Sequence, residues 1–144
     1  MIYLKQMEDA KIFTILMVDD EKDFRDIVST KLKTLGINVI EAENGQEGLK
    51  KLKEVKPDLL LLDVNMPVMN GIETLSTIRK DPELNELKII LLTNYGDPQK
   101  EAAWQDERLA REAGAMDYIR KTDDLDTIAS QVISVLRGHE SPGK

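Results

Sequence analysis

The residues best suited to chemistry stand directly after short apolar runs. Asp19 and Asp20, trailed by Glu21, follow the run Ile15–Val18, and Asp63 follows the run Leu59–Leu62. Thr93 closes a third run, Ile89–Leu92, and Lys121 comes just after a weaker one at Tyr118–Ile119. Carboxylates gathered within a few ångströms raise one another's pKa unless a cation intervenes. An all-oxygen site of high negative charge suits Mg2+, which keeps part of its water and also binds phosphate. A hydroxyl and an ammonium beside such a site can contact phosphoryl oxygens as donor and counter-charge. Each Asp alone reads equally as a helix cap or a solvated loop residue. Their coincidence at two runs, with Thr93 and Lys121 at two more, points to a phosphoryl site without a bound nucleotide.

Composition removes several other chemistries. The sequence holds no cysteine and a single histidine, His139. Disulfides, thiolate metal sites, His-ligated metals and histidine triads therefore have no residues to use. A net charge of -7 repels phosphate backbones, and Lys50, Lys51 and Lys53, the nearest approach to a basic patch, read as a solvated helix face. No direct nucleic-acid partner is expected. No run approaches the ~20 apolar residues that span a bilayer, and residues 1–11 lack a signal-peptide core. The expectation is a cytoplasmic protein with no membrane partner.

The elements that must position these residues follow from the same apolar pattern. With 144 residues, 41% hydrophobic and 33% charged, the chain has the size and balance of one soluble globular domain. Short continuous apolar runs are what strands buried on both faces of a parallel sheet require. Val39–Ile40 and Tyr118–Ile119 add two weaker strands to the three runs above. Between them, Phe24, Ile27, Val28, Leu32 and Leu35 fall at helical spacing, as do Leu49, Leu52 and Val55. Ile72, Leu75 and Ile78 repeat the pattern, and so do Leu125, Ile128, Val132 and Leu136. Gly36 sits where a helix stops, Pro57 precedes the third strand, and Pro82 closes the third helix. Strands alternating with helices predict a doubly wound α/β fold over residues 12–137, with five strands, five helices and polar tails at 1–11 and 138–144. In such folds ligands sit beyond the carboxyl ends of the strands, where strand order reverses.

The ordered set Asp19-Asp20, Asp63-Val64-Asn65-Met66-Pro67 with Asn70-Gly71, Thr93 and Lys121 resembles the motifs of bacterial response-regulator receiver domains. The resemblance covers about residues 12–137. It implies a five-stranded parallel sheet of order 2-1-3-4-5 in a flavodoxin-like three-layer sandwich, which would bring the first and third strands together at the switch point. It further implies a signalling switch rather than an enzyme, one that takes a phosphoryl group onto Asp63 from a histidine kinase or phosphotransfer protein and then engages a downstream target. Mg2+ would be held by Asp20, Asp63 and the backbone carbonyl of Asn65, with Asp19 acting through water. Lys121 would pair with the phosphoryl group, Thr93 would hydrogen-bond it, and Tyr118 would turn inward in response. The oligomeric state, and whether the chain acts alone or within a longer regulator, stay open.

Three positions depart from the resembled pattern. Thr122 stands after the lysine where a proline in a cis peptide is usual, and a cis bond to a non-proline residue costs about 2.5–4 kcal/mol, so trans is expected. Asn94 replaces a small residue after Thr93, and the interval from Thr93 to Lys121 is enlarged. The added segment, 97–113, is helix-forming in composition and carries Trp104, the only tryptophan, so it is expected to supply a partner-specific surface. Two rival site readings fail on single residues. A haloacid-dehalogenase-type phosphohydrolase needs a second Asp where Asn65 stands, and a Ca2+ loop starting at Asp63 needs Gly and Glu where Val68 and Thr74 stand. An interaction module of the same fold that is never phosphorylated is the remaining alternative.

Overall fold

The computed structural model describes residues 11–66, 69–93, 115 and 117–138. Among these, β1 (Thr14–Val18), β2 (Asn38–Ala42), β3 (Leu59–Asp63), β4 (Lys88–Thr93) and β5 (Asp117–Arg120) form one parallel sheet in the order β2-β1-β3-β4-β5. Four helices are described: α1 (Lys22–Thr34), α2 (Gly45–Val55), α3 (Gly71–Lys80) and α4 (Leu125–Leu136). The helix-forming segment 97–113 with Trp104, and Asn94 before it, lie outside the described residues.

The apolar runs are continuous because β1, β3 and β4 are buried on both faces. Alternate residues serve opposite cores. Ile15, Met17, Leu59, Leu61, Ile90, Leu92 and Ile119 pack with Val28 and Leu32 of α1 and with Ile128, Val132 and Val135 of α4. Leu16, Val18, Leu60, Leu62, Ile89 and Leu91 face the other way, onto Leu52 of α2 and Leu75 and Ile78 of α3. Among the described residues, two helices thus cover each face of a three-layer sandwich.

Local chemistry fixes where the helices begin and end. Asn44, Asn70 and Asp124 accept hydrogen bonds at their side chains from the amides of Glu47, Glu73 and Thr127, capping α2, α3 and α4. α1 stops in a left-handed turn at Gly36 (φ 83°), where the Gly36 amide donates to the Lys33 carbonyl and the Ile37 amide to the Leu32 carbonyl. Asp81 caps α3 at the residue before Pro82, as the proline requires. No peptide bond among the described residues is cis, so Lys121–Thr122 is trans.

Candidate functional site

The strand ladders run on one step past the strand ends, and this places the site residues. The Asp19 amide donates to the Ala42 carbonyl (3.1 Å), the Val64 amide to the Leu92 carbonyl (3.0 Å) and the Lys121 amide to the Thr93 carbonyl (2.8 Å). Val18 is level with Leu62 in the β1/β3 pairing, so Asp19 and Asp63 fall side by side on adjacent strands. These strands neighbour each other because the chain winds outward in both directions from β1 and β3, which makes their carboxyl ends the switch point.

Four carboxylates meet there. Oxygens of Asp19, Asp20, Glu21 and Asp63 lie within 4.8 Å of one another, the first and last buried and the middle two exposed. Asp19 Oδ1 accepts from the Glu21 amide (2.8 Å) and Asp63 Oδ1 from the Asn65 amide (3.1 Å), which fixes both carboxylates against the loops that follow them. Gly71 lets α3 begin directly against that second loop. Its amide donates to the Val64 carbonyl (2.9 Å), and a Cβ there would meet the Asp63 carbonyl oxygen and come within 2.7 Å of Val64 Cα.

Lys121 reaches in from β5, its side chain 6% exposed, with Nζ 2.7 Å from Glu21 Oε1, 2.8 Å from Asp19 Oδ2 and 3.1 Å from Asp63 Oδ2. The contact with Asp19 is an ion pair at close range, yet Asp19 Oδ2 accepts no well-directed hydrogen bond. The same ammonium lies 5.2 Å from the centroid of the Phe24 ring, which shields it on the α1 side. Arg25, one turn into α1, donates to the Asp19 backbone carbonyl (2.7 Å) and to Glu41 on β2 (3.2 Å), tying the β1 turn to its neighbours.

Electrostatics follow from this crowding. Burial, then the Asp19 charge, push the Asp63 carboxyl up to about 8, against the opposing pull of Lys121. Burial likewise raises Asp19, with Lys121 offsetting part of the shift. For Lys121 burial opposes the charge, but Asp63, Asp19 and Glu21 together outweigh it and hold the ammonium above the ordinary lysine value. Oxygen-only donors, excess negative charge and a buried Asp19 oxygen short of a directed donor fit a hard divalent cation.

Of the residues singled out from sequence, Asp19, Asp20, Asp63 and Lys121 converge directly. Asn65 stands beside them through its amide. Thr93 is buried at the end of β4, one step beyond the residue level with Asp63. Tyr118 is half-buried and packs on the α2/α3 face, the face to which strand alternation also assigns Thr93. Sequence reasoning named Glu21 only as a neighbour of the aspartates, read Phe24 only as part of a helix's apolar face and passed over Arg25. No local signal marks these contacts, since Glu21 and Lys121 stand 100 residues apart.

A doubly wound parallel sheet with carboxylates and a lysine gathered at its switch point places the chain among the α/β domains that carry their sites beyond the carboxyl ends of the strands. Residues 15–133 match the response regulator receiver domain, and the chain belongs to that family. It is 32% identical over 124 residues to the protein PilH of Pseudomonas aeruginosa, covering 86% of this chain and 98% of that one. It is 34% identical over 125 residues to the phosphate regulon transcriptional regulatory protein PhoB of the same organism, covering 86% of this chain and 52% of that one. The chain therefore spans nearly the whole of one relative and about half of the other. Among solved structures, chemotaxis protein CheY4 of Vibrio cholerae superposes with a TM-score of 0.74 at 29% identity, over 87% of this chain and 99% of that one. The receiver domain of a signal transduction histidine kinase from Syntrophus aciditrophicus gives 0.75 at 30% identity, over 88% and 91%. Receiver domains are signalling switches of two-component systems that interact with histidine kinases and downstream effectors.

Proposed function

We propose that this receiver is a phosphoacceptor in a phosphorelay, with Asp63 taking the phosphoryl group and a protein-interaction surface responding. The observation that carries the reading is the convergence of Asp19, Asp63 and Lys121 at the switch point, two buried carboxylates sharing one nearly buried ammonium. A carboxylate oxygen of Asp63 attacks phosphorus of a phosphohistidine on a kinase or phosphotransfer protein; the P–N bond breaks, and the imidazole leaves with its electron pair. Asp20, Asp63 and the Asn65 carbonyl would hold Mg2+, with Asp19 acting through water, and the ion would supply charge neutralisation for the transferring group. Lys121 pairs with a phosphoryl oxygen and offsets its charge. Thr93 donates a hydrogen bond to the phosphoryl group, and Tyr118, on the same face, repacks as Thr93 moves. The domain comprises residues 12–137, and the protein works in the cytoplasm; among the described residues no helix is long and apolar enough to cross a membrane.

Incubation with acetyl phosphate and Mg2+, followed by intact mass measurement, tests the reading. The wild-type chain is expected to gain one phosphoryl group, and Asp63→Asn none, because the near-isosteric amide cannot attack phosphorus. Labelling of Asp63→Asn to the wild-type extent would place the acceptor elsewhere. A wild-type chain that takes no label would favour an interaction module that is never phosphorylated.

A further inference from the structure

An ammonium has three N–H donors. Lys121 uses two of its own in hydrogen bonds to Glu21 and Asp63, and its charge is shared in addition with Asp19 at ion-pair range, so the resting ammonium is already heavily committed. A phosphoryl group on Asp63 needs at least one of these donors, and the three partners differ in how readily they let go. Asp63 gives up its claim by carrying the phosphoryl group itself. Asp19 is fully buried, and losing its cation would strand a charge away from water. The Glu21 side chain is 55% exposed, so water can replace the lysine there.

A second observation concerns where Glu21 sits. It occupies the N-cap position of α1, yet its side chain makes no capping bond, while Asn44, Asn70 and Asp124 cap the other three described helices. Glu is a poor substitute for Ser, Thr, Asp or Asn at an N-cap. The position gives up its usual helix-stabilising role, and the carboxylate extends across the switch point to Lys121 (2.7 Å) instead.

We propose that Glu21 is a resting counter-ion for Lys121, one that competes with the phosphoryl group on Asp63 for the ammonium and so sets how strongly the site takes up and keeps that group. The inference rests on the phosphoacceptor reading and concerns the regulation of that same site.

The probe is beryllofluoride, a phosphoryl mimic that coordinates a carboxylate oxygen, titrated calorimetrically at saturating Mg2+ so that metal affinity does not enter. Glu21→Gln keeps the shape and removes the charge, and is expected to bind the probe about 2–5-fold more tightly, the range of an exposed ion pair. Glu21→Ser should do the same while raising the melting temperature, since it restores a cap to α1. In a Lys121→Met background the Glu21→Gln gain should vanish, because no ammonium is left to compete for. Binding by Glu21→Gln and Glu21→Ser equal to or weaker than wild type overturns the proposal. So does a gain that persists undiminished without Lys121, which would mean simple charge repulsion. Failure of wild type itself to bind beryllofluoride would instead bring down the phosphoacceptor reading, and this inference with it.

Discussion

Asp63 and Asp19 are carboxylates the fold holds in an unfavourable place, and this has a pH signature. Without a metal the folded chain keeps a proton on Asp63 up to about pH 8, whereas the unfolded chain releases it near the ordinary value of 3.8. Between those limits the native state binds more protons, so stability falls as pH rises through the window. Asp19, also raised, adds in the same direction. In chelator, the urea midpoint should therefore drop from pH 5 to pH 8, by the equivalent of at least ~1 kcal/mol. Asp63→Asn should flatten the drop, and added Mg2+ should reverse it at pH 8 by stabilising the ionised form. A midpoint that rises across this range in chelator would contradict the electrostatics of the site. The aspartates themselves were legible in the sequence, because a charged residue directly after a buried apolar run has few places to go. The roles of Glu21 and Arg25 were not, because each depends on residues brought near only by the fold.

At the scale of elements, the apolar runs marked β1, β3 and β4 closely, since a strand buried on both faces must be apolar at every position. The edge strands were harder. β2 runs Asn38–Ala42 and includes Glu41, and β5 opens on the buried Asp117, so their apolar centres understate their lengths. An edge strand pairs on one side only and tolerates polar residues that an inner strand does not. The Asn70-Gly71 pair, read as part of a motif, has a mechanical basis in the structure. Asn70 Oδ1 caps α3 by accepting from the Glu73 amide while its Nδ2 donates to Glu73 Oε1, and Gly71 leaves room for the chain turning away from Asp63. Its need is for space rather than for an unusual backbone angle. Gly71→Ala is expected to destabilise the fold by about 1–3 kcal/mol, because the atoms in the way are backbone and cannot rotate aside. It should also weaken Mg2+ binding, since the loop carrying Asn65 must shift. A denaturation midpoint within error of wild type would show that α3 can slide at little expense.

Across the whole molecule, sheet order is what turns separated aspartates into one site, and that order came from family resemblance, not from the apolar pattern. The pattern alone is equally compatible with other windings of alternating strands and helices. The sheet is also unevenly supported. β3 is paired on both sides and entirely buried, while β5 has four residues and pairs only with β4 among the described strands. Amide hydrogen exchange in β5 should be faster than in β3 by an order of magnitude or more, reflecting partial opening of the edge. Equal protection would mean that the sheet opens only as a unit.

The position of Lys121 at the end of that last strand bears on how the protein is made. A ribosome releases Asp19, Asp20 and Asp63 into the forming sheet well before Lys121 emerges, and domains tend to fold as synthesis proceeds. During that interval β1 and β3 can pair, but their carboxylates lack the ammonium of Lys121. The nascent domain must leave the charged edge loose, keep those carboxyls protonated, or borrow a divalent ion from solution until β5 arrives. Completion of the site is thus tied to arrival of the final strand, and a chain broken off before residue 117 would carry its acidic cluster without the lysine that balances it.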